Sequence, residues 1–501
     1  MMQPPISHYL LTADQSRSAD RLTIEETGIS GFTLMEVAGS SAAKHLLNQD
    51  PHFTHGLYLC GKGNNAGDAL VAARYLSLHD IAATVVFLSG ADDLSADAQK
   101  NISLLHKFAG DNLQVVTAWE DFELSGDYDF IVDGMLGTGL KNNLRGDYKK
   151  AVEWANKQPV PIFSMDIPTG LHADSGQMME TSINAAHTFA FGGRKQGYYL
   201  GEGPDCTGSV VYCELPFPNK YKKECQSYLI DESWIESQTP SPGRHKYDAG
   251  VLYIAAGSEG LTGAAILAAR SAWAEGLGAV ILICPRGLLP IYEQTLPSVI
   301  KKPVGKRSDL FFTEKHVPAA LDIISQKEGN VLFGPGLGRS EETIRFTHGF
   351  LSQNPLPAVI DADGLWGLAQ SSSWQKPDGV SWTLTPHPGE LARLAKGAPA
   401  SDFERLAYTR KLSRQKKITI LSKGMPGIIG TLSGKCYITN YDTRYFSRAG
   451  SGDVLAGKVS ALQTLGHNSN ISCALALLKG KRKLERYLKE NDDLPETKDF
   501  I

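Results

Sequence analysis

The stretch Ser447-Arg448-Ala449-Gly450-Ser451-Gly452-Asp453-Val454-Leu455-Ala456-Gly457 combines residue types that could handle phosphate. Small residues from Ala449 to Gly452 let backbone N–H groups converge, and the run from Val454 reads as an apolar helix. An anion cradle at a helix N-terminus follows, because orphan amides and the helix dipole both favour negative charge there. Asp453 puts a carboxylate beside that cradle. It would repel a bound phosphate, unless a hydroxyl attacking phosphorus needs a partner to orient it and take its proton. The helix terminus is expected to hold Asp453 ionised and so a weak base, which phosphoryl transfer tolerates because positioning and charge stabilisation carry most of it. A glycine turn with an Asp helix cap has the same pattern, so the surrounding chain must decide.

A second set of polar residues lies in the first half. Gly56-Leu57-Tyr58-Leu59-Cys60 reads as a buried strand, Gly61 to Asp68 as a loop and Ala69 to Leu78 as a helix. That order suits a nucleotide, and Gly61-Lys62-Gly63-Asn64-Asn65-Ala66 satisfies a dinucleotide pattern, which brings in a hydride-transferring dehydrogenase. Two amides and an acid crowd the turn, however, and Asp68 would oppose a pyrophosphate laid on the helix. Asn64 and Asn65 suit a hydrated sugar, an amide-bearing ring or a weakly held cation, or simply a capped turn. Tyr128 to Asp133 and Pro161 to Asp166 are further apolar runs ending in an acid, followed by Gly134 to Gly139 and by Ile167-Pro168-Thr169-Gly170. In an open parallel sheet such ends share one edge, so Asn65, Asp133, Asp166 and Thr169 could meet in one crevice.

The elements that must position these residues fit an α/β chain of 501 residues, long enough for two or three full cores. Composition is 42% hydrophobic and 21% charged with net charge −4, which gives no reason to expect a polyanion partner. The 50 glycines cluster between apolar runs, as loops of α/β folds do. No apolar run approaches membrane-spanning length, and Met1-Met2-Gln3-Pro4-Pro5 lacks a basic start followed by an apolar core, so a soluble cytoplasmic protein is expected. Seven cysteines form no C-x-x-C pair, which fits reduced structural thiols. Ser7 to Leu47 reads as helical with a break near Gly28-Ile29-Ser30-Gly31, and Leu215 to Lys223 breaks the pattern with prolines and charge. Domains are expected at 1–220 and 226–501, with the junction near 216–226.

The second half repeats the strand-loop-helix theme beyond Pro240-Ser241-Pro242-Gly243. A strand at Gly250 to Ala256, a helix at Ala264 to Glu275 and a strand at Ala279 to Cys284 make one βαβ unit. Later strands end in Gly334-Pro335-Gly336-Leu337-Gly338, Asp361-Ala362-Asp363-Gly364, Thr385-Pro386-His387-Pro388-Gly389-Glu390 and Ser422-Lys423-Gly424-Met425-Pro426-Gly427. A hairpin follows, turning at Ser433-Gly434-Lys435. Lys423 could reach nucleotide phosphates or stay solvated, and His387, fixed by two prolines, could face a substrate or close a turn.

Leu11 to Gln15, Leu34 to Gly39, Gly61 to Asp68, Asp133 to Gly139 and Met165 to Leu171 together resemble the NAD(P)H-hydrate epimerase domain, over about residues 8–215. The later loops, ending in Ala449-Gly450-Ser451-Gly452-Asp453, resemble the ribokinase-like ADP/ATP-dependent NAD(P)H-hydrate dehydratase domain over about 226–465. The resemblance implies two three-layer αβα domains, Rossmann-like then ribokinase-like, in a bifunctional repair enzyme. It implies that Asn64, Asn65, Ala66, Gly67, Asp68, Gly137, Thr138, Gly139 and Asp166 contact the hydrated nucleotide, and that Asn65, Asp133 and Thr169 hold potassium. In the second domain Asp453 would activate the ring hydroxyl and Gly452 would form the anion hole. Lys423, Gly424, Met425, Pro426 and Gly427 would line the ADP site, and Ala264, Gly336, Gly338 and His387 would contact the hydrated ring or its nucleotide. Asp166 and Asp453 are the expected catalytic residues, with magnesium neutralising phosphoryl charge.

The family pattern has glycine where Ala66 and Ala69 stand and asparagine at Val37, so two extra methyls are expected to crowd the first ligand. The KGMPG run at Lys423 lacks a closing threonine, and Ser451 replaces a threonine. After Leu465 the family ending gives way to a charged helix and tail around Lys479 to Arg486. Alternatives to the two-step enzyme are a kinase for a small vitamin-like alcohol and a first domain that only binds. Expected partners are NADHX, NADPHX, ADP and further copies of this chain, with no nucleic acid and no membrane.

Overall fold

The computed structural model describes residues 4–89, 94–122, 126–230, 232–237, 250–371, 373–441, 448–491, 493 and 495–501. Met1 to Gln3, the Pro240 to Gly243 stretch and Ser447 lie outside the described residues. The fold divides into two compact units, Pro4–Leu229 and Ile230–Ile501.

In the first unit α1 (Ala13–Thr27) ends on Gly28 in the left-handed region, and Ser30 caps α2 (Gly31–Leu47) by accepting from the Thr33 amide. Strands β1 (His55–Cys60), β2 (Ala82–Phe87), β3 (Leu113–Val116), β4 (Phe130–Gly134), β5 (Ile162–Met165), β6 (His187–Phe191) and β7 (Ser209–Cys213) form one sheet. Its order is β3-β2-β1-β4-β5-β6-β7, parallel throughout. Leu57 to Cys60 are fully buried, as a central parallel strand covered on both faces requires. The order reverses between β1 and β4, which opens a crevice beyond their carboxyl ends.

Helix α3 starts at Asn64 and runs to Ser77, so Asn64 to Asp68 are its first residues rather than a loop. The expected helix start at Ala69 is corrected for a physical reason. Gly63 makes the entry in extended backbone, and Ala66 and Ala69 favour the helix.

In the second unit the strands are β8 (Val251–Ala255), β9 (Ala279–Pro285), β10 (Ile300–Val304), β11 (Asn330–Phe333), β12 (Ala358–Ile360), β13 (Trp382–Leu384), β14 (Thr419–Ser422), β15 (Ile428–Gly430) and β16 (Cys436–Ile438). They lie in the order β16-β15-β14-β13-β12-β11-β8-β9-β10. All are parallel except β15 and β16, the expected hairpin. Here the order reverses between β8 and β11. Among the described residues no helix is long and apolar enough to cross a membrane.

Helix α4 (Thr262–Trp273) carries fully buried Ala265, Ala268, Ala269 and Ala272 against α5 (Ser451–Thr464), which begins at the glycine cradle. Ser271 Oγ donates to the Val454 carbonyl at 2.7 Å, tying the two helices at the cradle end. A Cβ on Gly457 would lie 2.4 Å from the Ala268 carbonyl oxygen, so the helices approach as closely as glycine allows. Gly457→Ala is therefore expected to cost about 1–3 kcal/mol, the usual range for overpacking. Urea unfolding followed by circular dichroism would show it, and an unchanged midpoint would mean the helices part freely.

Candidate active sites

At the β1/β4 crevice, Asn64, Asn65, Asp68, Gly137, Thr138, Gly139 and Asp166 all line one cavity of about 560 Å³, closed over by Asp20 and Met35. That volume suits a small molecule. Ala66 and Gly67 are not on its wall. Ala66 and Ala69 are fully buried in the core, and Val37 packs against the same cluster. Their methyls point away from the cavity, so the crowding expected of them does not occur.

Asp166 takes a left-handed backbone with φ 60°, costly for a non-glycine residue and maintained here by its surroundings. Its amide donates to the Phe189 carbonyl at 2.9 Å, and Tyr198 Oη donates to its carbonyl. Its carboxylate accepts from Lys195 Nζ, a fully buried ammonium that also donates to the Gly193 carbonyl at 3.2 Å. Burial raises Asp68 well above the usual carboxylate range, and Asp166 and Asp20 push the same way while Lys195 opposes them. Asp20 is raised by burial and then by Asp166. Three carboxylates thus share one cation, and carboxyl groups with unlike titration can give and take protons in one site. Sequence reasoning missed Lys195 and Asp20. The run Gly192-Gly193-Arg194-Lys195, directly after a strand end, was the available signal.

Asp133, Thr169 and Asn65 form one network at the base of that cavity. Asp133 is fully buried and raised by burial. It accepts from Thr169 Oγ1 at 2.6 Å, Thr169 N at 2.8 Å, Ser164 Oγ at 2.9 Å and Met135 N at 3.2 Å, which fills its four lone-pair places. Asn65 Nδ2 donates to the carbonyls of Met165 at 2.7 Å and Leu136 at 3.1 Å. Asp133 thus orients Thr169 and the two loops, and Asn65 ties the Met165 and Leu136 carbonyls together.

In the second unit Lys423, Gly424, Gly427, Ser451, Gly452 and His387 line a cavity of about 460 Å³ at the start of α5. Lys423 Nζ lies 2.6 Å from Asp361 Oδ1, and a Cβ on Gly452 would come within 3.1 Å of that ammonium. A side chain there would be in tight contact with the ammonium, which the absence of a Cβ on Gly452 avoids. Thr385 Oγ1 also donates to Asp361 Oδ1 at 2.8 Å, whereas Asp361 Oδ2 is buried with no partner. Arg405, which sequence reasoning missed, sets the lysine loop: its guanidinium donates to Ser422 Oγ at 3.1 Å, Lys423 O at 3.3 Å and Pro426 O at 2.6 Å. Met425 and Pro426 lie in that loop but not on the cavity wall.

Asp453 stands in the first turn of α5 and is pushed up to about 7 by burial and by Asp361, with Lys423 opposing and Asp363 adding to the rise. The expectation of an ionised weak base is corrected: low-dielectric surroundings and neighbouring acids outweigh the helix terminus. Glu390 is also pushed up to about 7, by burial and then by Asp361. His387 closes a turn, one of the two roles open to it. Its Nδ1 accepts from the Gly389 amide at 3.0 Å, capping the helix Pro388–Ala395, while half its ring remains exposed at the cavity. An accepting Nδ1 leaves the hydrogen on Nε2 of the neutral ring, and burial and Lys423 lower its pKa.

Ala264, Gly336 and Gly338 gather at the β8/β11 crevice instead of on that wall. A Cβ on Gly336 would meet Ala264 Cβ at 3.0 Å, and the Gly338 amide donates to Asp363 Oδ2 at 2.9 Å. Asp453 feels Lys423 and Asp361 of the cradle as well as Asp363 of this second group.

Two α/β units, each with a cavity at the carboxyl edge of a parallel sheet that presents charged side chains, define an enzyme with two active sites. Residues 31–197 match the family profile described as YjeF-related protein N-terminus, and residues 252–485 that described as NAD(P)H-hydrate dehydratase. The bifunctional NAD(P)H-hydrate repair enzyme of Salinibacter ruber is 32% identical, covering 97% of this chain and 92% of its own length. That of Moorella thermoacetica is 31% identical over 93% of this chain and 90% of its own. The ADP/ATP-dependent NAD(P)H-hydrate dehydratase of Bacillus subtilis, solved with ATP and magnesium, is 22% identical over 54% of this chain and 94% of its own, with a TM-score of 0.46. The chain belongs to the family of bifunctional NAD(P)H-hydrate repair enzymes.

Removing the buried ammonium of the first site should leave its carboxylates uncompensated. Lys195→Met is expected to destabilise the protein by about 3 kcal/mol at pH 8, the scale of breaking a buried pair. Asp20 and Asp68 have raised folded pKa values, so their ionised forms cost stability at high pH and the cost fades as pH falls through those values. The gap between variant and wild type should therefore shrink towards pH 5. A pH-independent gap in thermal melts would refute the shared-charge account.

Proposed function

We propose that the first unit interconverts the two epimers of hydrated NADH and NADPH, and that the second dehydrates one of them at the expense of ADP. Asp453 carries the second half of this reading: a carboxylate pushed up to about 7 that feels Asp361 and Lys423 of the phosphate cradle and Asp363 of the second group of loops. Asp453 takes the proton of the ring hydroxyl as its oxygen bonds to the terminal phosphorus of ADP, and AMP leaves. The new ester then departs as phosphate while the neighbouring ring carbon gives up a proton, which restores the dihydropyridine. Lys423 and the Gly452 amide offset the charge that develops on the transferring group. Asp361, with a buried free oxygen, suits a magnesium ion held by one carboxylate and the nucleotide phosphates, whose bound role is to neutralise phosphoryl charge.

In the first unit a protonated acid beside an ionised one supports loss of the hydroxyl from one face and its return from the other, which inverts the carbon. Asp166, oriented by Lys195, takes a proton, and Asp68 or Asp20 gives one. Potassium would be held by Asn65 and the carbonyls of Leu136 and Met165, positioned through Asp133 and Thr169, and would supply fixed positive charge at the base of the cavity.

Asp453→Asn is expected to bind ADP normally and lower dehydratase turnover at least ~10²-fold. Because the ionised carboxylate is the working form, wild-type kcat/KM should fall as pH drops through about 7, and the variant should lose that limb. Unchanged turnover would remove Asp453 from the mechanism. Asp166→Asn, which tolerates a left-handed backbone, is expected to abolish epimerisation while dehydration of the competent epimer continues. Following each epimer by chromatography with and without ADP separates the two activities, and an epimerisation rate equal to wild type would sink the role given to Asp166.

A further inference from the structure

The match to the dehydratase family ends at residue 485, yet the chain beyond it returns to the phosphate cradle. After the helix Ser469–Glu490 the segment Pro495–Ile501 folds across the cradle loop. Arg448 donates to the Pro495 carbonyl, and Thr497 Oγ1 donates to the Ala449 carbonyl at 2.8 Å. Lys483 holds the far end by donating to the Ile501 carbonyl. A Cβ on Gly450 would lie 3.2 Å from Thr497 Cγ2, so the segment is seated directly on the loop.

Phe500 is 3% exposed and packs with Val454, Leu484 and Leu267, and the small part of its side chain left uncovered lies on the wall of the cavity that also presents Lys423, Gly424 and Gly452. The wall of that cavity thus divides into a cationic, amide-rich part and an apolar part made by Leu455, Leu477 and Phe500. With the segment in place the cavity still measures about 460 Å³, within the range of small-molecule sites. The segment therefore walls the cavity and does not plug it.

We propose that Pro495–Ile501 is part of the nucleotide site, with Phe500 completing the apolar wall of Leu455 and Leu477 against which the base of ADP packs. This rests on the reading of the cavity as the ADP site and adds to it a residue that decides between a nucleotide and a bare phosphate. A base lying on an aromatic face gains enough that truncation to alanine weakens binding by about tenfold or more.

Calorimetric titration of the full chain with ADP and with inorganic pyrophosphate tests the assignment. Phe500→Ala should raise the Kd for ADP at least ~10-fold while the Kd for pyrophosphate stays within ~2-fold of wild type. Phe500→Leu, which keeps the apolar packing on Val454 and Leu484, should weaken ADP by several-fold and leave pyrophosphate alone. ADP affinity unchanged in both variants would overturn the proposal and leave the cavity reading standing. Equal weakening of ADP and pyrophosphate would also overturn it, since the segment would then act through the cradle. A wild-type chain that binds neither ligand would overturn the cavity reading and this proposal with it.

Discussion

In each unit one ammonium, fully buried in the first and part-exposed in the second, stands among more carboxylates than it can neutralise. Lys195 faces Asp166, Asp68 and Asp20, and Lys423 faces Asp361, Glu390 and Asp453. Burial alone would protonate an isolated acid, and a one-to-one ion pair would keep it ionised. A single cation among several acids does neither completely. Asp20 and Asp68 are raised near Lys195, and Glu390 and Asp453 near Lys423, which favours an acid and a base coexisting in one site. Each lysine is fixed by its own surroundings: Lys195 by two carbonyls as well as its acid, Lys423 by Asp361 and by the loop that Arg405 holds.

The scaffold makes such crowding affordable. Both sheets reverse their strand order at a central strand, so loops diverge there and leave a crevice that no helix fills. Acids at those strand ends meet backbone amides and hydroxyls of neighbouring loops. Asp133 shows the limiting case, with four donors on two oxygens and no contact left for a ligand. Asp361 shows the opposite case, with one oxygen committed to Lys423 and Thr385 and the other left bare. Two acids in equivalent places at strand ends therefore serve different ends, one holding loops together and one held ready for a ligand.

How much of this the chain discloses before folding follows from the range of the interactions. Strand, glycine loop and helix are local patterns, so the order of elements, the hairpin and the cradle at Gly450 to Gly452 are legible in the sequence. The start of α3 is not, because Asn64 and Asn65 look like turn residues until the two alanines behind them are weighed. Which way the Ala66 and Ala69 methyls point depends on that start: as loop residues they would face a ligand, as helix residues they face the core. Lys195 and Arg405 are hidden for another reason. Each acts on a residue 18 to 29 positions away, and beyond the glycine pair before Lys195 neither has a local signature that separates it from a surface cation.

The titration of Asp453 shows how a local rule can mislead at a functional site. A carboxylate in the first turn of a helix belongs where the dipole stabilises its charge, worth up to about 2 kcal/mol in favourable partly buried positions. Against this stand desolvation at the cradle and the like charge of Asp361 and Asp363, and together these prevail, with Lys423 only moderating the result. A value near neutrality suits a group that must accept a proton and later release it, since a strongly ionised carboxylate would be too weak a base and a fully neutral one no base at all. A diphosphate arriving beside Asp453 brings more negative charge and drives its pKa further up. One lysine cannot offset the nucleotide and both acids, so the site calls for added positive charge, and the uncommitted oxygen of Asp361 lies 4.0 Å from where a Gly452 side chain would begin. The excess of negative charge built into the cradle thus sets both the strength of the base and the kind of ligand that can complete the site.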